Sequence, residues 1–402
     1  MKIAIIGASG FVGKLLHQYF TASDLVVIGR DFDKLKKLFP NTSCYEYSKL
    51  SKALKNVNVV INLATVNVNS TLSKAEIYSV NVDLLLKVAK ASKIANVERF
   101  INVSSVHALD DNNYSYYAQS KREAAYKLHE MEWPNAETVY LASIYENCWS
   151  GKLSTLNKFP LSFAKRLFTP IASFNSTSNV KLLVNYILKP PPSIQQYSKV
   201  ILCDNKSENI FYKIFSKLLD ISFAVFIIIF LGWALLLIGI LIKATSKGPA
   251  IFKQSRVGKH KKSFTCYKFR TMKLGTANVG THNLSTNSIT TLGQFLRRSK
   301  LDELPQVINI LRNELSLIGP RPCLLTQSEL IDYRDQLDVF NVKPGITGLA
   351  QINKIDMSTP KKLAAWDARS IALKAILSDF KIMKLTAIGK GQGDRIKNQK
   401  NI

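Results

Sequence analysis

The sequence predicts a two-part α/β protein. A doubly wound parallel sheet comes first, then a membrane-embedded helix, re-entrant or spanning, and a mainly helical domain at the membrane. Three observations carry that expectation. Short apolar runs alternate with helical patterns over the first half of the chain. Next comes a run of 22 uncharged residues, Ile221 to Ile242. Beyond it, Leu296 to Pro322 gathers an Asp302-Glu303 pair, the adjacent arginines Arg297 and Arg298, and the turn Gly319-Pro320-Arg321-Pro322.

The first part reads in order as a strand at Lys2–Ile6, a helix at Phe11–Phe20 and a second strand at Asp24–Ile28. A strand at Val57–Leu63, a long helix at Ala75–Ala95, a strand at Arg99–Val103 and a helix at Ser120–Met131 follow. Such alternation argues for a parallel sheet with helices on both faces. Lys189-Pro190-Pro191-Pro192-Ser193 interrupts it, Val200–Asp204 gives a last strand, and 205–210 is the expected boundary. As a helix, the uncharged run would be ~33 Å long, one bilayer core. Lysines flank both of its ends, whereas a spanning helix usually has one basic end. Two basic ends favour a re-entrant hairpin.

Lys plus Arg outnumber Asp plus Glu by 55 to 28. Such an excess suits nucleic acid, anionic lipid or phosphorylated substrates. Zinc-finger spacing, RNP-like motifs and basic heptads are absent, which argues against nucleic acid; next to an apolar segment, lipid headgroups fit better. The five scattered cysteines form no CxxC pair and suit a reducing compartment. MKIAIIGASG reads as a buried first strand rather than a signal peptide, so both catalytic faces are expected to be cytoplasmic.

Gly7, Gly10, Phe11, Val12 and Gly13 lie in the turn between first strand and first helix. Glycines there let the backbone approach a pyrophosphate at the positive end of a helix. The second strand ends at Gly29-Arg30-Asp31. Arg30 could hold a 2′-phosphate and Asp31 a ribose, so NADP(H) is favoured and NAD(H) stays open. Tyr117 and Lys121, four apart, share a helix face; the ammonium is expected to lower the phenol's pKa and suit it to proton transfer. Val103-Ser104-Ser105 ends a strand.

With these motifs in order, residues 1 to about 205 resemble the extended short-chain dehydrogenases/reductases. The resemblance implies an NAD(P)-binding Rossmann domain. Tyr117, Lys121 and Ser105 would be catalytic, with Ser104 as second choice, Leu63 and Ala64 beside the cofactor, and Asn81 structural. The family's sugar-nucleotide lobe is short here, and Leu141-Ala142-Ser143 replaces an arginine-proline pair. Val106-His107 stands where dehydratases carry an Asp-Glu pair, which disfavours dehydration. A 4-keto reductase or a C4-epimerase on a nucleotide sugar remains, or a non-catalytic NADP-binding module. His107 is read as a loop histidine.

In the second half, adjacent carboxylates amid cations suit chemistry on a phosphate ester. Pro305, in the first helical turn, puts the acid pair at a helix N-terminus. KGPAIFKQSRVGK, FTCYKFRTM, LRRSKLDELPQVINIL, LSLIGPRP and VKPGITGLAQIN follow one another from Lys247 to Asn353. Residues 209 to 388 thereby resemble the bacterial sugar transferases, monotopic polyprenyl-phosphate glycosyl-1-phosphate transferases. The resemblance implies a re-entrant helix kinked at a proline, a position held here by Trp233 beside Gly232. It makes Asp302 the nucleophile towards a UDP-sugar, with Glu303 helping Asp302 to hold Mg2+ and undecaprenyl phosphate as acceptor. Lys268, Arg270 and Arg321 are assigned to phosphates. Arg256 and Arg298 are weaker candidates, and Asp379 matches a family carboxylate. Pro344–Gly348 is either a substrate-shaping loop or a structural turn.

The expected organisation is thus 1–205 for the first domain, 206–220 for linker and membrane entry, 221–242 for the membrane helix, 243–388 for the transferase and 389–402 for a basic tail. The expectation is a bifunctional enzyme at the bacterial inner membrane that starts a surface glycan, such as an O-antigen, capsule or exopolysaccharide. Its partners would be a UDP-sugar, undecaprenyl phosphate and membrane lipid, with a homodimer left open.

Overall fold

Alternating aliphatic residues build the first half of the molecule from the inside. The computed structural model describes residues 1–66, 71–189, 199–276 and 288–390. The chain divides into two compact units, Met1–Phe168 with Ser176–Asp204, and Thr169–Asn175 with Asn205–Ile402. Residues 190–193 of the expected interruption and 391–402 of the expected tail lie outside the described residues.

In the first unit the chain runs β1 (Ile3–Ile6), α1 (Phe11–His17), β2 (Leu25–Gly29), α2 (Phe32–Leu38), β3 (Ser43–Glu46), α3 (Leu50–Ala53) and β4 (Val59–Asn62). It continues through α4 (Lys74–Tyr78), α5 (Leu84–Ile94), β5 (Arg99–Ser105), α6 (Tyr116–Glu130), β6 (Ala136–Leu141) and β7 (Ser143–Tyr145). Then come α7 (Leu161–Phe174), β8 (Thr177–Asn179), α8 (Val180–Leu188) and β9 (Val200–Leu202). The second half of α7 counts with the second unit. One parallel sheet has the order β3-β2-β1-β4-β5-β6-β9.

Successive strand residues point to opposite faces, and helices cover both. Ile3, Ile5, Val27 and Ile61 pack with Leu16, Leu35 and Leu183, while Ala4, Ile6, Val26 and Val60 pack with Leu54, Leu85 and Leu128. The doubly wound sheet that the sequence predicts is therefore present. The long helix expected at 75–95 is α4 and α5 joined by one π-helical turn, Ser79–Asp83. That turn buries Asn81, whose Oδ1 accepts from Val66 N (2.9 Å) and Thr65 Oγ1 (3.1 Å) while Nδ2 donates to Ser120 (2.9 Å). Asn81 thus fixes the loop after β4 against α6.

The second unit is organised along α9 (Ile210–Thr245), a single 36-residue helix, ~54 Å long at 1.5 Å per residue. It runs without interruption through Gly232 and Trp233, so the break at Trp233 that the resemblance implied is absent. Gly232 lies in open space and Trp233 is exposed, with its indole N–H on Phe230 O. There is neither a proline nor an inserted side chain to open the ladder.

After α9 come the antiparallel hairpin β10 (Ile251–Val257) and β11 (Ser263–Phe269), α10 (Thr291–Ser299), and a 3-10 turn, Leu301–Gln306, leading into α11 (Val307–Leu311). β12 (Ser316–Ile318), α12 (Ser328–Gln336), β13 (Gly345–Thr347), α13 (Leu349–Ile352), α14 (Pro360–Ala372) and α15 (Ile376–Ala387) complete it. β12 and β13 pair in parallel, so the Pro344–Gly348 stretch is structural at its centre.

One side of α9 is covered along its length. Tyr212 donates to Asp379 on α15 (2.5 Å). Asp220 accepts from Ser316 Oγ (3.0 Å) and Leu317 N (2.7 Å). Ala224 and Ile227 pack on Val307 and Ile310, and Ile242 packs on Phe269 and Leu296. The other side, including Ile229, Phe230, Leu236 and Ile240, is exposed. By length and composition α9 could cross a membrane.

Candidate active sites

In the first unit, the candidate residues collect at the carboxyl ends of the strands, where open α/β sheets bind ligands. Gly7 has φ +77°, and a Cβ there would come within 2.8 Å of Ala64 N; a Cβ on Gly13 would meet Ala8 O at 2.4 Å. Glycine is therefore required for the turn and for the close approach of helix to strand. The N-terminal turn of α1 has no side-chain cap. Ala64 N itself is held by Asn62 Oδ1 (3.3 Å), so the ends of β1 and β4 meet at Gly7.

Ser105 ends β5 and hydrogen bonds Tyr117, while Ser104 Oγ is buried without a partner. The hydroxyl beside Tyr117 is thus Ser105's. His107 stands edge-on to the Tyr117 ring, 6.5 Å between centroids. Lys121 is buried one turn on, and desolvation pulls its pKa down to about 8. Tyr117 departs from expectation. Burial of the phenol raises its pKa, opposed only by the Ser105 hydrogen bond. Asp31 caps α2 by accepting from Lys34 N (2.9 Å), and Arg30 is exposed. The glycine turn, the orphaned Ser104 hydroxyl and the buried Lys121 ammonium suit a dinucleotide.

In the second unit, Lys300 ends α10 in the left-handed region (φ 59°), which turns the chain into the 3-10 segment carrying Asp302 and Glu303. Glu303 Oε1 accepts from Lys268 Nζ on β11 (2.8 Å) and from Arg321 Nη2 (2.7 Å). Burial alone would raise the Glu303 carboxyl, but Arg321 and Lys268 outweigh it and hold it far below the usual carboxylate range. Asp302 is also buried, yet it takes no hydrogen bond from the described residues. Burial, then the neighbouring Glu303 charge, raises its pKa to about 6, opposed by Lys268, Arg297 and Arg321. Two adjacent carboxylates are thereby driven apart in pKa.

Other predicted cations go elsewhere. Arg270 donates to Ser246 O (2.8 Å), Ser246 Oγ (2.7 Å) and Lys247 O (2.7 Å), closing the C-terminal end of α9. Its donors are taken up by carbonyls at and just past the C-cap of α9. Arg256 reaches Gln254 Oε1 (2.6 Å) and Pro322 O (2.9 Å), and Asp379 sits at the start of α9. Arg298 points to solvent; its neighbour Arg297, bound to Thr271 Oγ1 (2.9 Å), is the one that acts on Asp302. The helical phase of the Gly293–Leu296 inward face was the available signal for choosing between them.

Arg334 and Asp367 had no sequence signal. They form a fully buried ion pair (2.7 and 3.0 Å), and Arg334 Nη1 donates to Arg321 O (2.9 Å). Gly345 N holds Pro320 O (2.8 Å) and Arg256 holds Pro322 O. Every carbonyl from Pro320 to Pro322 is therefore pinned, and the Arg321 guanidinium is presented from a fixed turn. Among the described residues, no group of three or more His, Cys, Asp or Glu forms a metal cluster. The two carboxylate donors still suit Mg2+, which commonly takes one or two carboxylates plus substrate phosphates.

The bacterial sugar transferase family model matches residues 211–390. A Bacillus subtilis protein named uncharacterized sugar transferase EpsL is 35% identical over 173 residues, covering 43% of this chain and 85% of the relative. The chain belongs to the bacterial sugar transferases. A UDP-glucose:undecaprenyl-phosphate glucose-1-phosphate transferase from Klebsiella pneumoniae is 38% identical to this transferase over 184 residues, covering 43% of the chain and 39% of the relative. Residues 3–138 match the NAD dependent epimerase/dehydratase family, so the transferase is fused to such a domain. Among solved structures, UDP-glucuronic acid 4-epimerase from Bacillus cereus in complex with NAD covers 47% of the chain and 71% of its own, with 16% identity and a TM-score of 0.37.

Replacing Asp367 with Asn should leave the Arg334 charge buried and unpaired. Denaturant unfolding in detergent should then show a loss of about 3–5 kcal/mol. An Arg334→Met, Asp367→Leu double variant should recover most of that stability but not full transferase activity, because the Arg321 carbonyl then loses its donor.

Proposed function

We propose that the second unit transfers a sugar-1-phosphate from a UDP-sugar to undecaprenyl phosphate through Asp302. The observation that carries this reading is the unequal pair: Glu303 is clamped by Lys268 and Arg321, while Asp302 beside it is buried and unclamped. An Asp302 oxygen attacks the β-phosphorus, the bond to the α-phosphate oxygen breaks, and UMP leaves with the electron pair. An oxygen of the lipid phosphate then attacks the same phosphorus and frees the Asp302 carboxylate. Lys268, Arg321 and Arg297 face the charge that builds on phosphate oxygens. Mg2+, held by Asp302, Glu303 and the diphosphate, would supply further charge neutralisation.

The first unit acts in this proposal on the nucleotide sugar before transfer. NAD(P)H, when bound, supplies a hydride. Tyr117 and Ser105 hold a sugar carbonyl oxygen, and Tyr117 gives it a proton, which makes a 4-keto reductase. The exposed Arg30 and the engagement of Asp31 as a helix cap favour NADP(H). A C4-epimerase would use the same side chains, Tyr117 and Ser105, so the two readings differ in net consumption of the reduced cofactor.

The placement of α9 also bears on topology. Ionic groups of the transferase site lie on segments packed against its middle, at Val307 and Ile310. A helix crossing the bilayer would draw them into hydrocarbon, where charge is costly. We therefore place both ends of α9 on the cytoplasmic side of the inner membrane, with its exposed face in lipid.

Four outcomes follow. In detergent with Mg2+, undecaprenyl phosphate and a panel of UDP-sugars, UMP release should fall by at least 1,000-fold, ~4 kcal/mol of barrier, in Asp302→Asn. In the wild type, kcat/KM should decline as pH drops through about 6, because the attacking form of Asp302 is the deprotonated one. With a UDP-4-keto sugar, Tyr117→Phe should abolish NADPH oxidation and leave UMP release from a finished sugar intact; equal oxidation by both proteins would end the reductase reading. Cysteines placed at Ser207 and Lys247 should both be labelled from the cytoplasmic face of vesicles, and labelling from opposite faces would contradict the one-sided placement.

A further inference from the structure

We propose that α7 is a second membrane contact, an interfacial helix that lies on an anionic leaflet. The inference rests on the placement of α9 given above. Phe163, Leu167, Ile171 and Phe174 recur at i, i+4, i+8 and i+11, which puts them on one face of the helix. All four are exposed, at 48%, 37%, 41% and 48% of their surface. An adjacent face of the helix is the one that packs, through Ala164, Phe168 and Ala172. An apolar face this rich in aromatic side chains, turned to solvent, calls for a cover.

Charge identifies that cover. From Asn147 to Cys203 the sequence holds seven lysines and arginines and neither an aspartate nor a glutamate. Lys158, Lys165 and Arg166 stand exposed at and within α7. Phenylalanine and leucine on one face with cations beside them is the pattern of helices that lie in a headgroup layer. Protein interfaces, in contrast, tend to be depleted of lysine at their centre.

Position agrees with the charge. The last turns of α7 are tied to the start of α9: Lys206 Nζ donates to Ala172 O (2.7 Å) and Asn209 Nδ2 to Thr169 O (2.9 Å). Asn209 is also the residue that caps α9, through Tyr212 N. Ile171 and Phe174 are thus anchored to the segment from which the exposed apolar run of α9 begins, at Ile210, Phe211 and Ile214. The stretch that is short relative to the sugar-nucleotide lobe of reductases is the stretch that carries this face.

The test uses the full chain in vesicles containing phosphatidylglycerol. Phe163→Cys, Ile171→Cys and, as an exposed control on α6, Glu130→Cys are labelled with bimane, with the unsubstituted protein as background. Doxyl-labelled lipid should quench positions 163 and 171 at least two-fold more than position 130, and the difference should shrink in purely zwitterionic vesicles. Quenching at 163 and 171 no greater than at 130, in protein that still floats with the vesicles, would overturn the inference and leave α9 standing. Cross-linking of 163 to 163 between two chains, without quenching, would overturn it in favour of a second copy as the cover. Protein that fails to float would overturn the placement of α9 and this inference together.

Discussion

One carboxylate holds the transferase centre together. Glu303 brings Lys268 from the hairpin and Arg321 from the Gly-Pro-Arg-Pro turn onto the segment that carries Asp302. Three charged groups share a site with little solvent, and the cluster keeps a net positive charge. A lone carboxylate there would be costly to ionise; two cations make ionisation favourable. The same arrangement leaves Asp302 desolvated, next to a negative charge, and facing cations without being bonded to them.

Support for that centre comes from farther out. The Arg334–Asp367 pair, Arg256 and Gly345 N together fix the backbone from which Arg321 projects. A buried ion pair adds little net stability over an apolar pair, but it supplies a directed N–H to a carbonyl that an apolar pair would leave bare. Around this, α9 provides the long apolar wall on which α11, β12 and α15 are stacked. Helix, hairpin and acid pair are therefore one construction. In the first unit the equivalent frame is the parallel sheet, whose strand ends bring Gly7, Ala64 and Ser105 to one edge beside Tyr117.

Much of this was legible in the sequence. Short apolar runs and the glycine turn announced the sheet, and the uncharged run announced α9, because both patterns are set locally. The acid pair and the neighbouring turn were also visible, since their chemistry is written in adjacent residues. What each cation binds was not. Arg270, Arg256 and Arg321 look alike in sequence, and only the folded chain reveals that two of them serve backbone carbonyls at the end of α9 and in the turn. The choice of Arg297 over Arg298 depended on helical phase, and the raised phenol of Tyr117 on burial that spacing alone does not report. β3, four residues at the sheet's edge, carries only half an apolar pattern and gave no signal.

The most direct test of the account is chemical trapping at Asp302. The protein is mixed with an accepted UDP-sugar and Mg2+ in the absence of lipid phosphate, quenched in acid and digested for mass spectrometry. The account predicts a burst of about one UMP per chain, matching a single nucleophile per active site, and a phospho-sugar adduct on the peptide containing Asp302. UMP release that waits for undecaprenyl phosphate, with no adduct at any time, would mean direct transfer between the two substrates and would contradict the role given to Asp302.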